Sequence, residues 1–257
     1  QGVSGTVKYS PVYHPEERIN WTLSASFKHQ KAKYEDIGNS LDQFNKENLN
    51  TSLVRYYDGG SPTALWAVRS LGINPSDGRE LFLTKEGTYT FEYDTEDEVV
   101  VGNSEPKLEG VLGSTLYWKG FSFSLYFRYS LGADVFTEAT YNKEENISLA
   151  GLKSNQDKRA LHDRWQKPGD HAKFKGISLT ETTPISSRFV LRENYIKAES
   201  ISVGYDFESQ AVQKLGIQSL RLQANTTDLF RISSIKEERG IEYPFARSFS
   251  FSLSAMF

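Results

Sequence analysis

The sequence predicts an all-β fold in which about seven long antiparallel strands form part of a large transmembrane β-barrel with long loops at one end. Three observations carry this. Seven segments alternate apolar and polar residues with the period of two that sends successive side chains to opposite faces of a strand. No run of about 18 apolar residues occurs, which excludes membrane helices, whereas barrel strands need only about 9–11 residues to cross. Finally, the connections between the segments are alternately short and long.

The first segment, Val3 to Tyr13, sets Val3, Gly5, Val7 and Tyr9 against Ser4, Thr6, Lys8 and Ser10. After a polar turn at 14–18, the second, Ile19 to about Lys31, opposes Trp21, Leu23, Ala25 and Phe27 to Thr22, Ser24, Ser26 and Lys28. The third, about Lys107 to Trp118, aligns Leu108, Leu112, Leu116 and Trp118, and Lys119-Gly120 then signals a tight hairpin. In the fourth, Phe121 to about Leu131, the residues Phe121, Phe123, Leu125, Phe127, Tyr129 and Leu131 alternate with Ser122, Ser124, Tyr126, Arg128 and Ser130. The fifth, about Tyr195 to Phe207, aligns Ile201, Val203, Tyr205 and Phe207. A polar turn over 208–216 leads to the sixth, Ile217 to about Leu229, where Leu220, Leu222 and Ala224 face away from Arg221, Gln223 and Asn225.

The seventh segment ends the sequence: Phe249, Phe251, Leu253, Ala255 and Phe257 alternate with four serines. This ending resembles the closing strand of bacterial outer-membrane barrels, in which the terminal aromatic belongs to the assembly signal. On that resemblance Phe249, Phe251, Leu253 and Phe257 are the candidate signal residues.

Short connections fall at 14–18, 119–120 and 208–216, and long ones at about 32–106, 132–194 and 230–247. Outer-membrane barrels alternate in this way, with short periplasmic turns and long extracellular loops. Within the first long connection, Asn74-Pro-Ser-Asp-Gly78 and Lys85-Glu-Gly87 predict small hairpins, and Asp157 to Trp165 predicts a short helix in the second. Seven is an odd count, and open sheet edges in lipid leave backbone groups unpaired. The expectation is therefore a C-terminal portion of a larger barrel, with its plug and N-terminal strands outside these 257 residues.

Composition agrees. Only 38% of residues are hydrophobic while 13% are aromatic, as suits a wall with one wet face. A net charge of -3 without a basic block excludes a nucleic-acid partner. With Cys 0, disulfides and thiolate metal sites are excluded. No Gly-x-Ser-x-Gly elbow, P-loop or His-Glu-x-x-His motif occurs, so no enzyme, cofactor or metal is expected.

Several stretches resemble, in order, the C-terminal barrel region of the SusC/RagA family of TonB-linked outer-membrane transporters. They begin with Trp66-Ala-Val-Arg-Ser-Leu-Gly-Ile-Asn-Pro-Ser-Asp-Gly-Arg-Glu80 and Pro106-Lys-Leu-Glu-Gly-Val-Leu-Gly-Ser-Thr-Leu-Tyr-Trp-Lys-Gly-Phe121. Asp163-Arg-Trp-Gln-Lys-Pro-Gly169, Ser187-Arg-Phe-Val190 and Asn194-Tyr-Ile-Lys-Ala-Glu-Ser-Ile-Ser-Val-Gly-Tyr205 follow. Leu220-Arg-Leu-Gln-Ala-Asn-Thr-Thr-Asp-Leu-Phe230 and Tyr243-Pro-Phe-Ala-Arg-Ser-Phe-Ser-Phe251 complete the set. The resemblance implies a 22-stranded barrel in the bacterial outer membrane, a plug, energy supplied through TonB by the missing N-terminal part, and a SusD-like surface lipoprotein. It implies import of glycans or peptides. A soluble β-sandwich carbohydrate-binding module and a passive outer-membrane pore are the alternatives.

Candidate residues follow from the faces. Tyr126, Arg128, Arg221, Gln223 and Asn225 are expected to face the lumen, either contacting solute or hydrating the wall and pairing with acids. Tyr56, Tyr57, Trp66 and Trp165 fall in the long loops, where aromatic rings suit sugar stacking, the lipoprotein lid or packing within the loops. Trp21, Trp118 and Tyr117 are expected in the periplasmic aromatic girdle beside the lipid bilayer. The acidic run 94–98 suits a hydrated loop better than calcium. His14, His29, His162 and His171 are expected to be ordinary loop residues.

Overall fold

The computed structural model describes residues 1–153, 157–178, 180–207, 216–236 and 247–257. Among the described residues there are twelve strands: β1 Gly2–His14, β2 Ile19–Gln30, β3 Ala64–Ile73, β4 Glu80–Leu83, β5 Tyr89–Thr90, β6 Glu98–Asn103, β7 Leu108–Trp118, β8 Phe121–Phe136, β9 Val190–Phe207, β10 Ser219–Thr227, β11 Arg231–Ser233 and β12 Phe249–Met256. Helices α1 Asp42–Glu47 and α2 Lys158–His162 are short. The chain divides into two compact units, one built from 1–30, 106–132 and 193–257, the other from 31–105 and 133–192.

The first unit is a sheet ordered β1-β2-β7-β8-β9-β10-β12, with β11 paired to β9. All seven predicted strands are members. Their order in space is their order in sequence once the loop strands are set aside, as an up-and-down wall requires. The predicted turn at 208–216 lies almost wholly outside the described residues, as do residues 243–246 of the last resembling stretch.

Register turns alternation into two faces. Val7, Ala25, Leu112 and Phe127 lie in one cross-strand row, and Val203, Ala224 and Phe251 in another. The opposite face carries rows such as Thr22-Thr115-Ser124 and Ser202-Asn225-Ser250. At Lys119 (φ 46°) and Gly120 (φ 96°) both turn residues take positive φ, the geometry of a two-residue hairpin whose twist matches its strands. Between Tyr9 and Val12 the register shifts, leaving Ser10 and Pro11 opposite Thr22. A bulge there accommodates a proline that has no N–H to give the ladder, and it keeps Val12 in the row of Trp21 and Leu116.

This wall contains almost no core. Of the buried apolar residues among those described, Ala198 alone belongs to it. Its apolar rows include many large side chains left uncovered, among them Val7 at 64%, Leu222 at 45% and Phe251 at 77% exposure. A β-sandwich would bury those rows between two layers.

Two predicted strands prove longer than their amphipathic pattern. β8 continues past Leu131 to Phe136, and β9 begins at Val190 rather than near Tyr195. The hydrogen-bond ladder outlasts the alternation, because pairing needs backbone whereas alternation needs one apolar and one wet side. Tyr117 departs from expectation as well: it pairs with Asn20 and Ser122 on the polar face, and its hydroxyl accepts from Arg18 at 2.8 Å. It is not a girdle residue. His14 and His29 end β1 and lie in β2, so they are strand residues, and His29 Nδ1 is 2.7 Å from the Lys107 carbonyl.

The second unit is a folded domain in its own right. Its sheet is ordered β5-β4-β3-β6, with hairpins at the two places where the sequence predicts them, and α2 falls within the predicted helical stretch. Leu53, Leu65, Ala67 and Ile185 form its core, with Phe136, Tyr141 and Val190 packed against them. Two arginines are matched to buried carboxylates. Arg55 makes a two-pronged pair with Glu98, at 3.0 and 2.8 Å. Arg188 bridges Glu80 and Glu145, while Ser186 and Thr183 donate to the same two carboxylates.

Breaking a buried pair strands a charge, whereas breaking an exposed one leaves both charges to water. Glu98→Gln is therefore expected to destabilise the second unit by about 3–5 kcal/mol. The exposed Lys28–Glu109 pair differs, and Glu109→Gln should cost about 0–1 kcal/mol. Hydrogen exchange of the β3–β6 amides and of the β2–β7 amides measures the two effects. Equal losses would contradict the burial argument.

Candidate functional site

Two groups of side chains carry functional potential, one in each unit. In the wall, register sets all five lumen candidates on the polar face. Tyr126 stands opposite Gly113, where an added Cβ would sit 2.8 Å from the Tyr126 ring, so the glycine makes room for the aromatic. The Tyr126 hydroxyl is 3.2 Å from that of Thr115. Arg128 donates twice to Glu199, at 2.9 and 2.6 Å. Arg221 pairs with Asp206 directly across the strand boundary. Gln223 donates to Ser202 at 2.8 Å and to Asn225 at 3.0 Å.

The five thus form rungs of a hydrogen-bonded lattice across β7 to β10. Each rung fixes a side chain on the polar face and uses hydrogen-bonding capacity that a ligand could otherwise claim. Sequence alone missed the partners Glu199 and Asp206. Asp206 shares parity with Ser202 and Gly204, which was the available signal.

In the second unit the four loop aromatics separate. Tyr56 is packed between Tyr34 and Phe44, with centroids 5.6 Å away in each case. Trp165 lies against Gly78 and donates its indole N–H to the Pro75 carbonyl at 3.0 Å. Tyr57 and Trp66 instead pack on each other, with centroids 5.2 Å apart and planes at 53°, and both line an open cavity of ≈ 680 Å³. Asp42, Lys46, Lys85, Glu86 and Glu96 line it too.

The acidic run is largely spent on structure. Asp94 accepts the Glu96 N–H, Asp97 accepts the Lys85 N–H, and Glu98 belongs to Arg55. Among the described residues no group of three or more His, Asp or Glu converges on one point as metal ligands do.

Electrostatics in this unit follow burial. Burial pushes the Tyr93 phenol above its ordinary value of 10.0, and the nearby Glu98 carboxylate adds to the shift. Its hydroxyl also donates to the Ile185 carbonyl at 3.0 Å. Burial opposes the Arg188 charge, but the hydrogen bonds it donates to Glu145 and Glu80 outweigh it and hold the guanidinium above its usual range.

No family model matches the chain. It is 24% identical over 161 residues to TonB-dependent receptor P39 of Formosa agariphila, covering 61% of this chain and 15% of that protein. It is 24% identical over 241 residues to TonB-dependent receptor P26 of the same organism, covering 86% and 23%. Its fold superimposes on a chain of the RagAB peptide importer in an open-open state, with a TM-score of 0.74 at 16% identity, across 100% of this chain and 28% of that one. The chain is thus similar in sequence to TonB-dependent receptors and in fold to a chain of the RagAB importer. The fold likeness extends over the whole chain, and the chain spans about a quarter or less of the curated relatives it matches.

A raised phenol pKa has a definite sign for stability. The neutral phenol is favoured in the folded state, so its contribution is complete below pH 10.0 and is lost as pH rises above that value toward the folded one. Ultraviolet titration is expected to show Tyr93 ionising after exposed tyrosines and together with loss of second-unit structure. In Tyr93→Phe that late phase should vanish; its persistence would contradict the assignment.

Proposed function

We propose that this RagA-like chain is the C-terminal part of the barrel of a bacterial outer-membrane importer. Such an importer takes up glycans or peptides with a SusD-like lipoprotein and draws energy through TonB by its N-terminal part. The observation that carries the reading is the uncovered apolar face of a seven-stranded wall. Burying a large apolar side chain is worth about 1.5–3 kcal/mol, so rows of exposed Val, Leu and Phe are untenable in water and natural in hydrocarbon. The other face, hydroxylated and laced with ion pairs, suits a wet interior occupied by the plug. Mechanism is then geometric: the wall encloses the transport path, and the folded loops contribute to the mouth that captures substrate. The named relatives are receptors, which supports a non-enzymatic role, and the RagAB peptide importer supports an oligomeric nutrient as cargo.

Full-length protein is expected to insert into outer membranes, and uptake of its nutrient should stop when TonB is deleted. Uptake that persists without TonB would favour a passive pore. Phe123→Arg and Phe251→Arg should each cost about 2–4 kcal/mol if they lie near the bilayer midplane, measured by urea titration of folding into lipid vesicles. Ser124→Arg, one residue away on the wet face, should cost far less. Deletion of Phe257 should lower surface levels in cells, and unchanged levels would remove it from the assembly signal.

A further inference from the structure

The boundary between β2 and β7 changes character partway along. From Ile19–Trp118 to Ala25–Leu112 the two strands pair residue by residue, and they pair once more, in the same register, at Lys28–Glu109. Ser26–Val111 and Phe27–Gly110, which lie between, are skipped, and among the described residues no pair follows Lys28–Glu109. The flanking boundaries run unbroken through this level. Thr6–Ser26 and Gly5–Phe27 are paired on one side, Val111–Arg128 and Gly110–Tyr129 on the other. The break is confined to one seam, between the β1–β2 hairpin and the β7–β8 hairpin.

Side chains close this seam where the ladder does not. Ser26 Oγ accepts the Val111 N–H at 2.9 Å and donates to the Val111 carbonyl at 3.3 Å. Tyr129, in the row of apolar-face positions, donates its hydroxyl to the Ser26 carbonyl at 2.9 Å. It reaches that oxygen across Gly110, where an added Cβ would collide with the Ser26 carbonyl and sit 2.7 Å from the Tyr129 hydroxyl. Farther along, Lys28 pairs with Glu109 at 3.0 Å and His29 Nδ1 lies 2.7 Å from the Lys107 carbonyl. A ladder bond is set by two backbones, whereas each of these contacts depends on a rotatable side chain holding one rotamer. An open cavity of ≈ 300 Å³ lies at the same level, lined by Thr6, Ser26, Lys28, Glu109, Gly110 and Val111 among others. A lining this polar admits water, so backbone groups released there meet water rather than hydrocarbon.

We propose that the β2–β7 boundary is a parting line built into the wall, with Ser26 and Tyr129 as its latches. The two hairpins separate from the Gln30 and Leu108 end as far as Ala25–Leu112, where the continuous ladder stops the opening. No tight turn ties the strands together at that end, since residues 31–107 intervene between β2 and β7. Separation at either flanking boundary would break a run of backbone bonds, and here it breaks side-chain contacts beside a wettable cavity. Parting joins the polar face to the apolar face through a short side opening. That consequence rests on the importer reading, in which one face meets lipid and the other water.

The test is residue-resolved amide hydrogen exchange on the full-length protein in lipid nanodiscs. Val111, Gly113 and Thr115 share strand parity, so their N–H groups all point toward β2 and report this one boundary. In the native sequence Val111 is expected to exchange about tenfold faster than Gly113 and Thr115. Tyr129→Phe keeps the ring but removes the latch, and should speed Val111 about threefold to tenfold further while leaving Thr115 unchanged. Lys28→Cys combined with Glu109→Cys, with any cysteine elsewhere replaced by serine, allows the seam to be locked by a disulfide. Oxidation should slow Val111 to the rate of Gly113, and reduction should reverse this. Equal exchange at the three amides, a Val111 rate indifferent to Tyr129→Phe, or one indifferent to the disulfide would overturn the parting line. The native comparison decides the matter even where a variant fails to fold. Failure of the protein to insert refutes the importer reading, whereas insertion with uniform exchange refutes the seam alone.

Discussion

Backbone hydrogen bonding governs the wall. A strand in hydrocarbon has no water to satisfy its N–H and C=O groups, so each must pair with a neighbour. Antiparallel pairing fixes register, and register fixes which side chains share a face, because a slip of one residue would exchange the two faces completely. The apolar rows, the polar lattice and the bulge at Ser10-Pro11 all follow from keeping that register. The bulge shows how strong the demand is: the chain inserts a residue rather than let Val12 and Trp21 fall out of the apolar row.

The two units are stabilised by different means. The second unit has a core of Leu, Ala, Ile and Phe and buries its arginines against carboxylates, as a water-soluble domain does. The first keeps its large side chains on the outside and its ion pairs on the wet face. Hydropathy averaged over the whole chain conceals this division, since a loop-rich barrel looks ordinary in composition. Accounting unit by unit reveals it.

Period-two alternation made all seven wall strands readable, because a two-faced wall writes its geometry directly into the order of residues. Legibility ended where that demand ended. The extra length of β8 and β9 was hidden since those segments need no apolar side. Tyr117 was misassigned because Leu116-Tyr117-Trp118 is apolar or aromatic throughout, so the residue types do not reveal parity there, and only pairing with Asn20 decides it. The partners of Arg55 and Arg188 lie 43 and 108 residues away in sequence, at Glu98 and Glu80, beyond any local pattern. The loop aromatics were found by type, but only packing separates Tyr57 and Trp66, which open onto a cavity, from Tyr56, packed between Tyr34 and Phe44, and Trp165, packed on Gly78.

The most direct measurement of the central claim exploits the absence of cysteine from these 257 residues, with any cysteine elsewhere in the protein replaced by serine. Single cysteines at Phe123, Ser124, Phe251 and Ser252, each carrying a spin label, are placed in the full-length protein in lipid bilayers. Oxygen, which concentrates in hydrocarbon, should relax the labels at Phe123 and Phe251. A water-soluble nickel chelate should reach those at Ser124 and Ser252 more readily. Labels at both phenylalanine positions shielded from oxygen and chelate alike would place those rows inside a protein core, and the wall would not be a membrane wall.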